Sequence, residues 1–238
     1  GNASGGVVTL WPDQQRPERL SGQGRVVAGA YGFWKWQGNV AAPLGPGSAS
    51  LSVSEAVSES GYRQHSAADT RRMNVRVTYP VTARTRLTLH GLVADSPWLE
   101  DPGAVDTTAL KRDSTRRLAN RNNLSELEGG SLQPRGAGKE VTQAQGGVAL
   151  RHDLPGGGGL DVTGFLLRRV LKNPIAVTYI EIRRWAYGSR AIVTLPGAIG
   201  SVPHVFTAGV DAQWMRDDRQ NYTPNRPTLP PPPADDSL

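Results

Sequence analysis

Cysteine is absent from the 238 residues, so the chain has neither a disulfide framework nor a thiolate metal site. Aromatic residues make up only 6% and hydrophobic residues 37%, which is low for a tightly packed soluble core. No stretch approaches the roughly 20 apolar residues that a membrane helix needs, and this excludes a helical membrane protein. It does not weigh against a barrel, whose alternating strands score low on hydropathy. The chain begins at Gly1 and shows no basic segment ahead of an apolar run, so no signal peptide is expected within it.

Chemical motifs are missing as well. His65, His90, His152 and His204 have no partner at metal-ligand spacing, and neither HExxH nor CxxC occurs. The glycines at 156–159 are not followed by Gly-Lys-Ser/Thr, so they read as a turn and not as a phosphate loop. There is no Gly-x-Ser-x-Gly elbow. Glu126 and Glu128 lie in a loop without a partner acid for glycosidase chemistry. No catalytic residue, metal ligand or cofactor site is therefore assigned, and the sequence singles out no ligand-contacting residue. The chain reads as a non-enzyme that needs no cofactor.

What is present is turn residues and alternation. Gly 28 and Pro 18 mark a chain with many turns and few long helices. Met73, Val75, Val77 and Tyr79 alternate with Asn74, Arg76 and Thr78. Leu87, Leu89, Gly91 and Val93 alternate with Arg86, Thr88 and His90. Leu51 and Val53 alternate with Ser50, Ser52 and Ser54. Phe206, Ala208, Val210, Ala212 and Trp214 alternate with Thr207, Gly209, Asp211 and Gln213. Successive side chains of a strand point to opposite faces, so each segment has one apolar and one wet face. On this reading His90 points away from the apolar face. Residues 142–153 and 159–170 also read as strands but mix the faces, with Leu166 beside Leu167 and Arg168 beside Arg169. Residues 179–195 form one long strand or two short ones. About nine strands are expected, forming an all-β, antiparallel sheet.

The connections alternate in length. Those at 45–48, 81–84 and 155–158 are short, and those at 60–67, 97–140 and 171–177 are longer. Outer-membrane barrels have short turns at one end and longer loops at the other. A soluble sandwich or barrel shares the alternation of side chains but has no reason to collect its long connections at one end. The longest connection carries Lys111, Arg112, Arg116, Arg117 and Arg121. It lacks the interleaved aromatics that nucleic-acid stacking needs, so no nucleic acid is expected as a partner. A solvated loop, or one that attracts an anionic ligand or lipid phosphates, fits better. Trp98, Tyr31, Trp34, Trp36 and Tyr79 lie near strand ends and are candidates for an aromatic girdle. Residues 223–238 are proline-rich and read as an unpaired tail.

The opening Gly1-Asn2-Ala3-Ser4-Gly5-Gly6-Val7-Val8-Thr9-Leu10 resembles the end of the plug domain of TonB-dependent outer-membrane receptors. Residues 24–31 with Gly32 and Phe33 look like that family's first barrel strand and its tight first loop. Ser60-Gly61-Tyr62-Arg63 and Asp69 are similar to its second loop and the strand after it. Residues 82–89, TARTRLTL, are similar to a periplasmic turn and its following strand. Asn173-Pro174, and Gly209-Val210-Asp211 with Gln213 and Asp217, resemble the siderophore-receptor branch. The resemblance implies a transmembrane β-barrel of about 22 strands around a plug. It implies location in a Gram-negative outer membrane, with outer-membrane lipid, a ferric siderophore or similar ligand, and the TonB complex as partners. The coupling motif, most of the plug, the remaining strands and the closing aromatic residue are not found. The chain is accordingly expected to be a piece of a receptor, open and inactive alone. Residues 1–20 would be the end of the plug and a linker, and residues 21–222 the first part of the barrel. A small passive outer-membrane barrel and a soluble β-rich binding protein are the alternatives.

Overall fold

The structure is a computed structural model that describes residues 17–103, 107–114, 138–175 and 178–222. Alternating β-branched and small residues, punctuated by glycine and proline, leave little for a helix to bury, and the chain runs as strands. These are β1 (Ser21–Ala28), β2 (Phe33–Leu44), β3 (Gly47–Ser58), β4 (Ala68–Thr82), β5 (Thr85–Glu100), β6 (Gly138–Asp153), β7 (Gly159–Ile175), β8 (Thr178–Ile199) and β9 (Val202–Tyr222). One short helix, α1 (Thr107–Arg112), lies between β5 and β6. The strands form one nine-stranded sheet in chain order, and every neighbouring pair is antiparallel. The all-β, antiparallel, open architecture expected from the alternation is thus the one observed.

The register carries the alternation across the sheet. Paired Cα positions share a face, so one row joins Val40, Leu51, Val75, Gly91, Gly146, Leu166, Tyr187 and Trp214 on β2 through β9. This is the apolar face. A row of the opposite, polar face joins Gln37, Ser54, Arg72, Ala94, Gln143, Arg169, Arg184 and Asp217. The adjacent pairs that blur the pattern in β7 are separated by this register. Leu166 and Arg168 lie on the apolar face, and Leu167 and Arg169 on the polar one. No second layer covers either face among the described residues, so the sheet has no conventional core.

Because the chain meanders, its connections fall at two ends. Those at 45–46, 83–84, 154–158 and 200–201 share one end, and those at 29–32, 59–67, 101–137 and 176–177 share the other. The connections that read as short and those that read as long therefore fall at opposite ends, but their limits differ, and the 176–177 connection is as tight as those at the other end. Pro97 reads as the start of the long loop, yet β5 continues to Glu100. A register shift between Ser96 and Leu99 takes up the proline, as a bulge can. Residues 171–177 read as a longer connection, yet β7 runs on to Ile175 and pairs with β8 as far as Ile175–Thr178. Pro174 is tolerated there because β6 has its last β7 partner at Lys172, so one neighbour fewer demands a donor. Residues 178–199 form one strand of 22 residues and not two. The first strand starts at Ser21 and ends at Ala28, ahead of Tyr31 and Gly32, whose φ of 62 and 68 make the left-handed turn. Most of the expected plug end, residues 1–16, and the proline-rich tail lie outside the described residues.

Two outcomes are expected from this packing. A Cβ on Gly47 would fall 2.3 Å from the Thr78 carbonyl oxygen, whereas one on Gly146 meets nothing within 4 Å. Gly47→Ala should cost about 1–3 kcal/mol through overpacking, and Gly146→Ala should stay within about 0.5 kcal/mol. Urea midpoints followed by tryptophan fluorescence in detergent micelles check both. Secondly, β1 and β9 are both odd-numbered in the meander and run in the same direction, so an all-antiparallel closure of these nine strands is excluded. The 238-residue chain should migrate identically in detergent electrophoresis whether boiled or not. A heat-modifiable band would show that it closes by itself.

Candidate functional site

The apolar face presents large side chains outward without cover. Val26 is 78% exposed, Val210 67% and Trp214 55%; Val75, Leu89, Val148 and Leu166 on the same face are exposed too. On β4 the apolar stretch runs from Met73 to Tyr79, on the order of 20 Å of strand. At the end of the sheet that carries the 59–67 and 101–137 connections, this band stops at charged residues. Trp36 Nε1 donates to Glu55 Oε2 at 3.0 Å, and Arg71 Nε donates to Glu55 Oε1 at 2.9 Å. Arg71 Nη2 reaches Asp69 Oδ2 at 2.7 Å, and Thr142 Oγ1 donates to Asp95 Oδ1 at 2.9 Å. Further along this border Arg168 lies over the Trp185 ring, 5.6 Å from its centroid, and Tyr187 stacks on Trp214 at 5.6 Å.

The polar face is built from hydroxyls, amides and guanidinium groups. Ser52 Oγ donates to Asn39 Oδ1, and Thr78 and Thr88 hydroxyls meet at 3.3 Å. Arg184 grips Asp217 with two bonds, Nε to Oδ1 at 2.7 Å and Nη2 to Oδ2 at 2.6 Å. Arg190 and Arg151 hold Asp211 and Asp161 at 2.7 and 2.9 Å. These pairs are solvent-accessible, so water and salt screen them and they add little to stability. Arg25, Lys35, Arg72, Arg76 and Arg86 make no ion pair among the described residues. Arg25 and Lys35 line a shallow hollow of about 140 Å³ with Val27, Phe33 and Gln37. That is smaller than the roughly 300 Å³ at which small-molecule pockets begin.

The loop-bearing end has one well-tied node. Ala67 N donates to Glu100 Oε2 at 2.7 Å, and Glu100 N donates back to the Ala67 carbonyl at 2.9 Å. His65 Nδ1 lies 3.4 Å from Glu100 Oε1, and the Trp98 ring meets His65 edge-on at 6.4 Å. These contacts surround His65 at φ 58, a left-handed conformation that is uncommon outside glycine but that histidine tolerates better than most. Arg63 Nη2 donates to the Pro102 carbonyl at 3.4 Å.

The candidates from the sequence are scattered by this arrangement. Trp36 and Tyr79 sit on the apolar face near opposite ends of its band, whereas Trp98 packs against the His65 loop and Tyr31 meets Tyr62 edge-on at 5.8 Å. His90 lies on the polar face opposite Arg76, as the alternation implies. His152 Nδ1 is 2.8 Å from the Thr85 hydroxyl, and no three metal-ligating side chains gather among the described residues. Lys111 and Arg112 form the last turn of α1, and Arg116, Arg117, Arg121, Glu126 and Glu128 lie outside the described residues. Two features escape the sequence reading. Trp185 and Tyr187 carry the correct two-residue spacing but sit in a strand of undecided length, and Glu100 looks like an ordinary loop acid.

Glu100→Ala should release the 59–67 connection while leaving the strands in place. Trypsin should then cleave after Arg63 several times faster than in the parent chain, because the half-buried amide of Ala67 loses its acceptor, a loss of about 1 kcal/mol. Glu100→Gln, which keeps an acceptor, should fall between the two. Quantifying the Arg63 cleavage product by mass spectrometry checks this.

No family model and no curated protein matches the chain. Solved structures do resemble it. The alcaligin outer-membrane receptor FauA of Bordetella pertussis aligns with a TM-score of 0.65 and 11% identity, over 88% of this chain and 30% of that one. The ferripyoverdine receptor of the Pseudomonas aeruginosa outer membrane, bound to ferripyoverdine, aligns at 0.69 and 14%, over 88% and 29%. The ferric citrate transporter FecA aligns at 0.67 and 11%, over 90% and 32%. The chain thus spans about a third of the length of each. At this identity the likeness is one of fold: the nine-stranded open sheet has the fold of part of an outer-membrane transport receptor.

Proposed function

We propose that this chain forms part of the wall of an outer-membrane receptor that takes up a ferric siderophore or a similar small ligand. The observation that carries this reading is the single apolar face shared by the strands. Soluble monomers rarely expose apolar patches beyond a few hundred Å². Against hydrocarbon the same face has a matching solvent, and the strand ladder satisfies the backbone groups that lipid would leave unpaired. The polar face then lines the lumen, and the end with the 59–67 and 101–137 connections is the outer, ligand-facing one.

The proposal extends to organisation. Residues 1–20 close a plug and link it to the wall, residues 21–222 are the first part of the barrel, and residues 223–238 form a proline-rich tail. Contact with the TonB complex belongs to the intact receptor, since the coupling motif is not in this sequence. The ligands named for the resembling receptors, alcaligin, ferripyoverdine and ferric citrate, support the ligand class. Strand parity favours a piece of a larger wall over a small passive barrel, because an odd number of further strands is needed to close an antiparallel ring around these nine. A soluble β-rich protein would need a layer over the apolar face, and the described residues supply none.

The chain has no native cysteine, so each introduced one is unique. Val75→Cys, Val148→Cys and Val210→Cys test the apolar face, and Asn74→Cys, Gln145→Cys and Gln213→Cys the polar face. Each carries a polarity-sensitive fluorophore in neutral detergent micelles doped with bromine-labelled phosphatidylcholine. Labels on the apolar face should shift to the blue and be quenched by bromine, and labels on the polar face should do neither. Equal quenching on both faces, or none on either, overturns the reading.

A further inference from the structure

We propose that Arg168, Trp185 and Arg216 form a binding site for the phosphate of an anionic membrane lipid, on the apolar face of β7, β8 and β9. The inference rests on the reading of that face as the lipid-facing one, and it names a specific partner there.

Three observations point to it. First, the residues are neighbours in one cross-strand row: Arg168 is opposite Trp185, and Trp185 is opposite Arg216. Strands lie about 4.8 Å apart, so the two arginine backbones are about 10 Å apart with the indole between them. Long side chains from both sides can close on one phosphate above that ring. Arg168 already lies over it, 5.6 Å from the centroid.

Second, the two cations are available. Elsewhere along the same border the charges are consumed locally, Arg71 by Glu55 and Asp69, and Arg183 by Glu181 at 3.0 Å. Arg168 and Arg216 make no ion pair among the described residues. The acid nearest in sequence on this face, Asp218, is opposite Arg183.

Third, the surface beside them is suited to acyl chains. One step along each strand, away from the 176–177 connection, the same face carries Leu166, Tyr187 and Trp214. These are exposed, with Tyr187 and Trp214 stacked. A headgroup between the arginines would therefore lay its tails along the apolar band. A free phosphate would find the charges but waste the band. The geometry selects a phosphate attached to hydrocarbon.

The test uses the 238-residue chain in neutral maltoside micelles, with dilauroyl phosphatidic acid, phosphatidylcholine of the same chain length and inorganic phosphate as probes. Bound lipid is counted by native mass spectrometry. Phosphatidic acid should bind in preference to phosphatidylcholine. Each arginine near a membrane surface is worth about fivefold in affinity, so Arg168→Gln with Arg216→Gln should weaken phosphatidic acid roughly 25-fold. Arg72→Gln with Arg76→Gln removes the same charge from the polar face and should change nothing. Equal weakening by both pairs would mean that net charge, not a site, attracts the lipid, and would overturn the inference. So would inorganic phosphate that binds as tightly as phosphatidic acid. The bromine quenching at Val148→Cys is read in the same micelles. If it persists while the arginine pair has no effect, this inference fails alone. If it is absent, the lipid-facing reading fails with it.

Discussion

Every backbone amide in this sheet must find its partner on the strand beside it, because among the described residues no second layer or helix covers it. That constraint explains the shape. Neighbours in sequence become neighbours in space, and the pairs are all antiparallel from β1 to β9. It also explains why irregularities cluster where prolines are. Pro80 and Pro97 lie at register shifts, and Pro174 lies beyond its last β6 neighbour. Where the ladder stops, at the outer edges of β1 and β9, unpaired donors and acceptors remain, and they define what any completing structure must supply.

The two faces then follow from a period of two. Because the register holds through the middle of every strand, an apolar residue on one strand places apolar residues on its neighbours, and a slip of one residue would turn the whole pattern over. The result is a sheet with two different environments and almost no buried volume. Its stability in water is poor by this design, since the usual hydrophobic term of roughly 25 cal/mol per Å² is not collected by folding alone. On the proposed reading it is collected when the apolar face meets hydrocarbon, which would couple folding and membrane association through one surface.

Charge distribution refines this picture. At the border of the apolar band, β2 to β6 consume their charges in a network of Trp36, Glu55, Arg71, Asp69, Asp95 and Thr142. At β7 to β9 the same border leaves Arg168 and Arg216 with an indole between them. On the polar face, paired arginines on β6 and β8 contrast with cations on β1, β2, β4 and β5 that make no ion pair among the described residues. Equal residue types therefore have different roles according to which acids the register brings opposite them.

The sequence by itself determined the strand content, the antiparallel meander, the two faces of β3, β4, β5 and β9, and the end at which each connection falls. Those properties are local: alternation and turn residues are read within a few positions of each other. It did not determine where β5 and β7 end, because a bulge at Pro97 and a missing neighbour beyond Lys172 are facts about the adjacent strand. Nor did it sort Leu166 from Leu167 or Arg168 from Arg169, since runs of like residues carry no period and only the cross-strand register assigns each to a face. The Glu100 node and the Arg168–Trp185–Arg216 row join residues from separate segments, at separations of 33 and 48 positions. Only the tertiary structure decided these, because a hydrogen bond or a shared phosphate depends on distance in space and leaves no periodic trace along the chain.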